Sequence, residues 1–166
     1  MKRILHTIDK ISEWSGKIFG WLLLVTMVII SFEIFMRLFG SAQVWVFDIT
    51  LCTAGIVYVM GGAFALLHKK HVRMDILYVR WSDRAKALAD LITLPGFLVF
   101  VGILVWQGGV RGWESFQMKE TLFTALQPPI WPVRLMIPLG ASLLLLQGLA
   151  NAVRNFYLVV KGKELA

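Results

Sequence analysis

The chain has 166 residues, of which 58% are hydrophobic and only 16% are charged. Soluble domains carry about 25% charged residues, so this composition excludes an ordinary water-soluble protein. The net charge is +7, but the basic residues lie at the ends of apolar runs and do not form one patch with interleaved aromatic residues. Membrane topology accounts for the charge, and no nucleic-acid partner is expected.

Four stretches of the chain are long and apolar enough to cross the hydrocarbon core, which takes about 20 residues. They cover approximately residues 18–38, 45–67, 85–107 and 131–153. Residues 1–166 are expected to form a single all-α membrane domain, because no repeat, linker or soluble stretch divides them. The first apolar run is too long for a signal peptide, so we expect it to be retained as a transmembrane helix.

Lys and Arg residues are unevenly distributed between the two sides of this topology. Of the 17, 13 lie before the first span, between the second and third, or after the fourth. The positive-inside rule therefore predicts a bacterial inner-membrane protein with both termini in the cytoplasm. Aromatic belts that contact membrane lipids agree, with Trp21 at the inner interface and Trp45, Trp106 and Trp131 at the outer one.

Residues 1–17 form an amphipathic segment before the first span. Ile4, Ile11 and Trp14 recur at helical spacing, whereas Lys10 and Glu13 take other positions. Two interpretations remain open: a separate interfacial helix that docks on lipid or protein, and a cytoplasmic extension of the first transmembrane helix. Both place the segment at the inner membrane surface.

The segment of residues 108–130 is the largest piece expected on the outer side, whereas residues 39–44 form a very short connection between the first two spans. Pro95 in the third span and Pro138 in the fourth each remove a backbone hydrogen-bond donor. Both prolines therefore predict bends in these helices.

Three charged residues cluster near the outer end of the first hairpin. Glu33 and Arg37 are four residues apart on one helix face, and Asp48 lies just across the short connection. We predict that Glu33, Arg37 and Asp48 pair, because an unpaired charge in a span is costly. An ion or proton site is one interpretation, and a structural or partner-interface lock between adjacent helices is the favoured one.

Small residues recur four positions apart at several points of the spans. Gly61 and Ala65, with Gly62 beside them, form one such pair, and Gly148 and Ala152 form another. Such pairs let helices approach closely in lipid. We therefore predict that these five residues lie at helix-packing contacts.

No motif points to an enzyme, a metal or a cofactor. The sequence shows no nucleophile with its base, no phosphate-binding loop and no zinc motif. Cys52 is the single cysteine, and the histidines His6, His68 and His71 all lie outside the predicted spans. A haem-binding membrane anchor is therefore disfavoured, since such anchors carry ligating histidines inside their helices.

Several short runs recur in the order of a known family. Arg37 ends the first span, Trp45 and Asp48 open the second, and residues 61–65 (GGAFA) lead to residues 71–75 (HVRMD). Residues 129–131 (PIW) and 138–140 (PLG) complete the pattern. Over nearly its whole length the chain resembles the small (Q-type) membrane subunit of tripartite ATP-independent periplasmic (TRAP) transporters. One departure is the single acid, Asp48, where the family often has two consecutive acids.

This resemblance implies a small permease subunit with two protein partners. The partners would be a large multi-span permease, which carries the substrate and sodium sites, and a periplasmic substrate-binding protein. The small subunit would scaffold the large permease in sodium-driven uptake of an organic acid. The alternative is a self-assembling, proton-coupled exporter with four spans, in which an unpaired Glu33 would face a central cavity.

Overall fold

The computed structural model describes residues 2–68, 81, 83–124 and 126–161. Within this part of the chain lie four helices: α1 (Lys2–Leu38), α2 (Val44–Leu67), α3 (Asp83–Gln117) and α4 (Trp131–Lys161). All four are long and apolar enough to cross a membrane. The all-α class with four transmembrane helices that the sequence predicts is therefore confirmed.

Two helices extend well beyond the spans that hydropathy predicts. The amphipathic N-terminal segment is continuous with the first span in one helix from Lys2 to Leu38, so it is not a separate helix, and whether it docks on lipid or protein stays a prediction. Helix α3 continues to Gln117 and not only to residue 107. Hydropathy locates the edge of the hydrocarbon core, whereas backbone hydrogen bonding carries a helix beyond that edge.

The helices pack in the spatial order α3, α4, α2, α1. Helices α1 and α2 form one antiparallel hairpin, α3 and α4 form a second, and the two hairpins meet where α2 packs against α4. We call the end where α1 begins and α4 ends the terminal end. The opposite end, with residues 39–43 and 118–130, is the hairpin end. Helix α4 is the centre of the fold, because within the described residues it packs against each of the other three helices.

Glycines permit the closest approaches between these helices. A Cβ atom added at Gly140 of α4 would lie 2.7 Å from the carbonyl oxygen of Val59 in α2. A Cβ atom at Gly112 of α3 would lie 3.2 Å from the carbonyl oxygen of Arg134 in α4. Pro138 cannot donate to that carbonyl four residues earlier. Gly112 therefore packs on a backbone carbonyl that has lost its usual helical donor.

Candidate functional site

Glu33 joins the end of α1 to the start of α2. It is 6% exposed, and its Oε1 accepts a hydrogen bond from Arg37 Nε at 2.8 Å. The backbone N–H of Gln43, the residue before α2, donates to both carboxylate oxygens at 3.2 and 3.1 Å. A carboxylate at this position satisfies a free N–H group and complements the helix dipole. Glu33 therefore fixes the geometry of the first hairpin.

Asp48 contacts a partner far away in the sequence. It is 1% exposed, and its Oδ2 accepts a hydrogen bond from Thr124 Oγ1 at 2.7 Å. Among the described residues Asp48 forms no ion pair with Arg37, whose guanidinium pairs with Glu33 on its own helix. The structure thus brings Glu33 and Arg37 together and places Asp48 against the loop after α3. A role for these three residues at a partner interface stays a prediction.

In the loop of residues 118–130, hydrogen bonds fix the described residues, which are all but residue 125, at the hairpin end. The backbone N–H of Leu122 donates to the carbonyl of Pro128 at 2.8 Å, and that of Ile130 donates to the carbonyl of Glu120 at 3.0 Å. Arg134 Nη1 donates to the Glu120 carboxylate at 2.6 Å. Because Thr124 also reaches Asp48, this loop ties the α3–α4 hairpin to α2.

A network of polar side chains joins α1 to α4 at the terminal end. Gln147 is fully buried; its Nε2 donates to Asp9 Oδ1 at 3.1 Å, and its Oε1 accepts from Ser12 Oγ at 2.8 Å. Arg154 pairs with the Asp9 carboxylate through both of its terminal nitrogens. The sequence prediction did not include this network. The available signals were Gln147 and Asn151, two amides within an otherwise apolar span.

Neighbouring amides extend this network to α2 and α3. Asn151 Nδ2 donates to the carbonyl of Leu66 in the last turn of α2 at 3.4 Å. Asn155 Nδ2 donates to Asp90 Oδ2 of α3 at 3.0 Å. Polar side chains of α4 therefore contact all three other helices at the terminal end.

A cavity of about 120 Å³ lies beside these amides. Asp90, Asn151 and Asn155 line its polar side, and Leu66 and Phe97 are among the apolar residues around it. Pockets that hold small-molecule ligands have volumes of about 300–1,000 Å³. This cavity is therefore too small to enclose an organic substrate of that size.

The predicted small residues differ in how closely they are packed. A Cβ atom added at Gly148 would overlap the Phe97 ring of α3, and one at Gly62 would lie 3.8 Å from Leu144 of α4. Gly61 has open space around it. Ala152 lines the cavity, and Ala65 is half-buried in α2. The tight contact of Gly16 with Phe64 was not predicted, although Gly16 and Gly20 form a further pair of small residues four positions apart.

Of the predicted interfacial tryptophans, Trp45 and Trp131 lie at the hairpin end, Trp106 lies within α3, and Trp21 lies near the middle of α1. Trp21 and Trp106 are 69% and 75% exposed. Trp45 Nε1 donates to the Gln43 side chain at 3.2 Å, and the Trp131 ring packs edge-on against Phe116. The exposed pair suits contact with lipid headgroups, whereas Trp45 and Trp131 also support the local structure of the hairpin end.

No metal-binding group of three or more His, Cys, Asp or Glu side chains occurs within the described residues. His68 at the end of α2 contacts the carbonyl oxygen of Phe64. His71, and the rest of the run 71–75 that contributes to the family resemblance, lies outside the described residues.

Comparison with protein families gives one match. Residues 26–157 match the family described as Tripartite ATP-independent periplasmic transporters, DctQ component. The matched region runs from within α1 to within α4 and covers most of the chain. No curated protein and no solved structure matches the sequence.

Proposed function

The chain belongs to the DctQ component family of TRAP transporters, and we propose that it is the subunit that scaffolds the large permease. In this proposal the large permease moves an organic acid, delivered by a periplasmic binding protein, with a sodium gradient as the energy source. The small subunit holds the stationary part of that permease in the membrane.

The use of charged side chains in the structure carries this proposal. Glu33 accepts hydrogen bonds at the start of α2, Asp48 accepts one from the α3–α4 loop, and Glu120 pairs with Arg134. A transport site needs polar groups that face a path through the membrane and remain available to a substrate. These three carboxylates hold helix ends together, which suits a static support.

The open arrangement of the helices also supports a scaffold. Helix α3 packs against α4 on one side only, and its other faces expose large apolar side chains such as Ile92, Val99 and Trp106. Helix α1 lies at the opposite edge of the fold. Long apolar helices at both edges provide wide surfaces for packing against other transmembrane helices.

The orientation of the chain follows from its charges. We propose that the terminal end faces the cytoplasm of a bacterial cell, because Lys and Arg are concentrated in the segments at that end. A cysteine at His6, in a Cys52→Ser background, is then expected to react with a membrane-impermeant maleimide only after the inner membrane is opened. Reaction in sealed spheroplasts would show that the chain has the opposite orientation.

The proton-coupled exporter needs an unpaired Glu33 that faces a central cavity. In the structure Glu33 is held by Arg37 and by the backbone of Gln43. A carboxylate that bridges two helix ends in this way is unsuited to repeated proton binding and release. The scaffold therefore remains the better-supported function.

Co-expression of the tagged chain with a large TRAP permease from the same organism tests the scaffold. We expect the two proteins to co-purify in detergent at a constant ratio, as measured by mass spectrometry. In proteoliposomes with the binding protein and an inward sodium gradient, uptake from a panel of labelled carboxylic acids is expected to require both membrane subunits. A pure homo-oligomer, or full uptake without this chain, contradicts the proposal.

A further inference from the structure

Large apolar side chains on α1 follow a seven-residue repeat. Ile4, Ile11 and Ile18 form one row, Trp14 and Trp21 belong to a second row offset by three, and all five are exposed. Both rows continue with apolar, exposed residues at positions 25 and 32 and at positions 28 and 35. We call these two rows the α1 seam. A strict seven-residue spacing is the pattern with which one helix packs along another in a left-handed supercoil.

The buried residues of α1 show that this helix already packs in the same way on another face. Leu5, Ser12, Thr26 and Glu33 are buried and lie seven residues apart or at a multiple of seven. Each follows a residue of the seam by one position, and so is rotated from it by about 100°. The seam is therefore a second packing face, and within the described residues no other helix covers it.

Lipid does not explain the terminal part of the seam. Ile4 is 66% exposed, and at 1.5 Å per residue it lies about 21 Å along the helix from Ile18, where the apolar span begins. Hydrocarbon chains do not extend that far beyond the core. In the segment before the span, the exposed large apolar residues are Ile4, Ile11 and Trp14. All three belong to the seam.

We propose that the α1 seam packs against a long helix of the large permease, one that continues past the membrane at the terminal end and carries acidic side chains there. This inference rests on the scaffold function proposed above. Arg3 and Lys10 flank the seam, are exposed, and form no ion pair within the described part of the chain. Acidic residues on the partner helix would complement them, as charges do beside a coiled-coil seam.

A second copy of this chain does not meet that requirement. It brings the same basic flank to the contact, and Glu13, the nearest exposed acid, is already paired with Lys17 at 2.6 Å. Two such flanks side by side repel each other. The charge pattern of α1 thus selects a different protein.

Photo-crosslinking of the co-expressed pair tests the seam. A benzophenone amino acid is placed at Ile4, Ile11 or Val25 in the seam, and at His6, Leu23 or Ile30, which are exposed on other faces of α1. We expect adducts with the permease from the seam positions at least about tenfold above the control positions. The variant Ile11→Asn is expected to lower co-purified permease at least about tenfold, a loss of about 1.4 kcal/mol, whereas His6→Asn is expected to leave it unchanged.

The outcomes separate this inference from the scaffold function. If the wild-type chain co-purifies with the permease but crosslinks equally from both sets of positions, the proposed contact through the α1 seam is wrong. The proposed scaffold function is then still supported. Crosslinks between two copies of this chain from the seam also overturn the inference. If the permease does not co-purify with the wild-type chain, the scaffold and the seam both fail.

Discussion

The two ends of the fold are held together in different ways. At the hairpin end, chain connections already keep α1 near α2 and α3 near α4, and polar contacts such as Glu33 with Gln43 adjust their geometry. At the terminal end α1 and α4 are opposite ends of the described chain. Their contact depends on side chains more than 130 positions apart, including Asp9 with Arg154 and Ser12 with Gln147.

At the terminal end, side-chain contacts hold together two helices that no short connection links. A short turn holds two successive helices close to each other. The loss of a hydrogen bond between them is therefore partly compensated. No such tether acts between Asp9 and Arg154. We therefore expect substitutions at the terminal end to cost more stability than those at the hairpin end.

The largest effect is expected from Asp9→Ala. This variant leaves the Arg154 guanidinium, whose side chain is 27% exposed, without its carboxylate, and should lower the free energy of unfolding by about 3 kcal/mol. Reversible denaturation in mixed micelles measures this change. The double variant Asp9→Ala/Arg154→Leu should recover part of the loss, because no charge is then left unpaired.

Glu13→Ala is the matched control for this experiment, since it removes an exposed acid from the same segment of α1. It should leave stability unchanged, because its ion pair with Lys17 lies in solvent. Equal losses for Asp9→Ala and Glu13→Ala would show that the terminal end is not held by the buried network.

A smaller effect is expected in the middle of the fold, where the two hairpins meet. In Gly140→Ala the new methyl group would lie 2.7 Å from the Val59 carbonyl oxygen. The resulting overpacking should destabilise the chain by about 2 kcal/mol. Gly61→Ala is the control, because Gly61 has open space around it and alanine is the better helix former by up to about 1 kcal/mol. A lower melting temperature for Gly61→Ala than for Gly140→Ala would contradict this packing.

The smallest effect is expected at the hairpin end, from Thr124→Val. This change keeps the shape of the side chain but removes the donor to the buried Asp48 carboxylate, at a cost of about 1.5 kcal/mol. Thr53→Val is the control, since the Thr53 hydroxyl donates only to the carbonyl of Ile49 in its own helix. If Thr124→Val lowered the free energy of unfolding as much as Asp9→Ala does, the expected difference between the hairpin end and the terminal end would be contradicted.

The sequence predicted the helices better than their ends. Four apolar stretches of membrane-spanning length were sufficient to locate α1 to α4. Continuation of α3 to Gln117 was not predictable from hydropathy, because residues 108–117 combine glycines with charged residues. The packing of this extension against the first turns of α4, where Gly112 meets Arg134, supports it in the folded chain.

Local pairs in the candidate site were predictable, and distant pairs were not. The spacing of Glu33 and Arg37 places them on one helix face, and they pair at 2.8 Å. Asp48 was expected to join them because it is close in sequence, but it contacts Thr124, a residue 76 positions later. Only the folded loop brings Thr124 to α2. The contact between Gln147 and Asp9 was not predicted for the same reason, since these residues are 138 positions apart and meet only in the folded chain.

The central position of α4 also has a consequence for biogenesis. Helix α4 is the last of the four helices in chain order, and among the described helices it is the main packing partner of α3. Until α4 is inserted, Asp9 and Ser12 lack Gln147 and Arg154. We therefore expect the partly inserted chain to consist of the α1–α2 hairpin and a solitary α3, and we expect insertion of α4 to join the two.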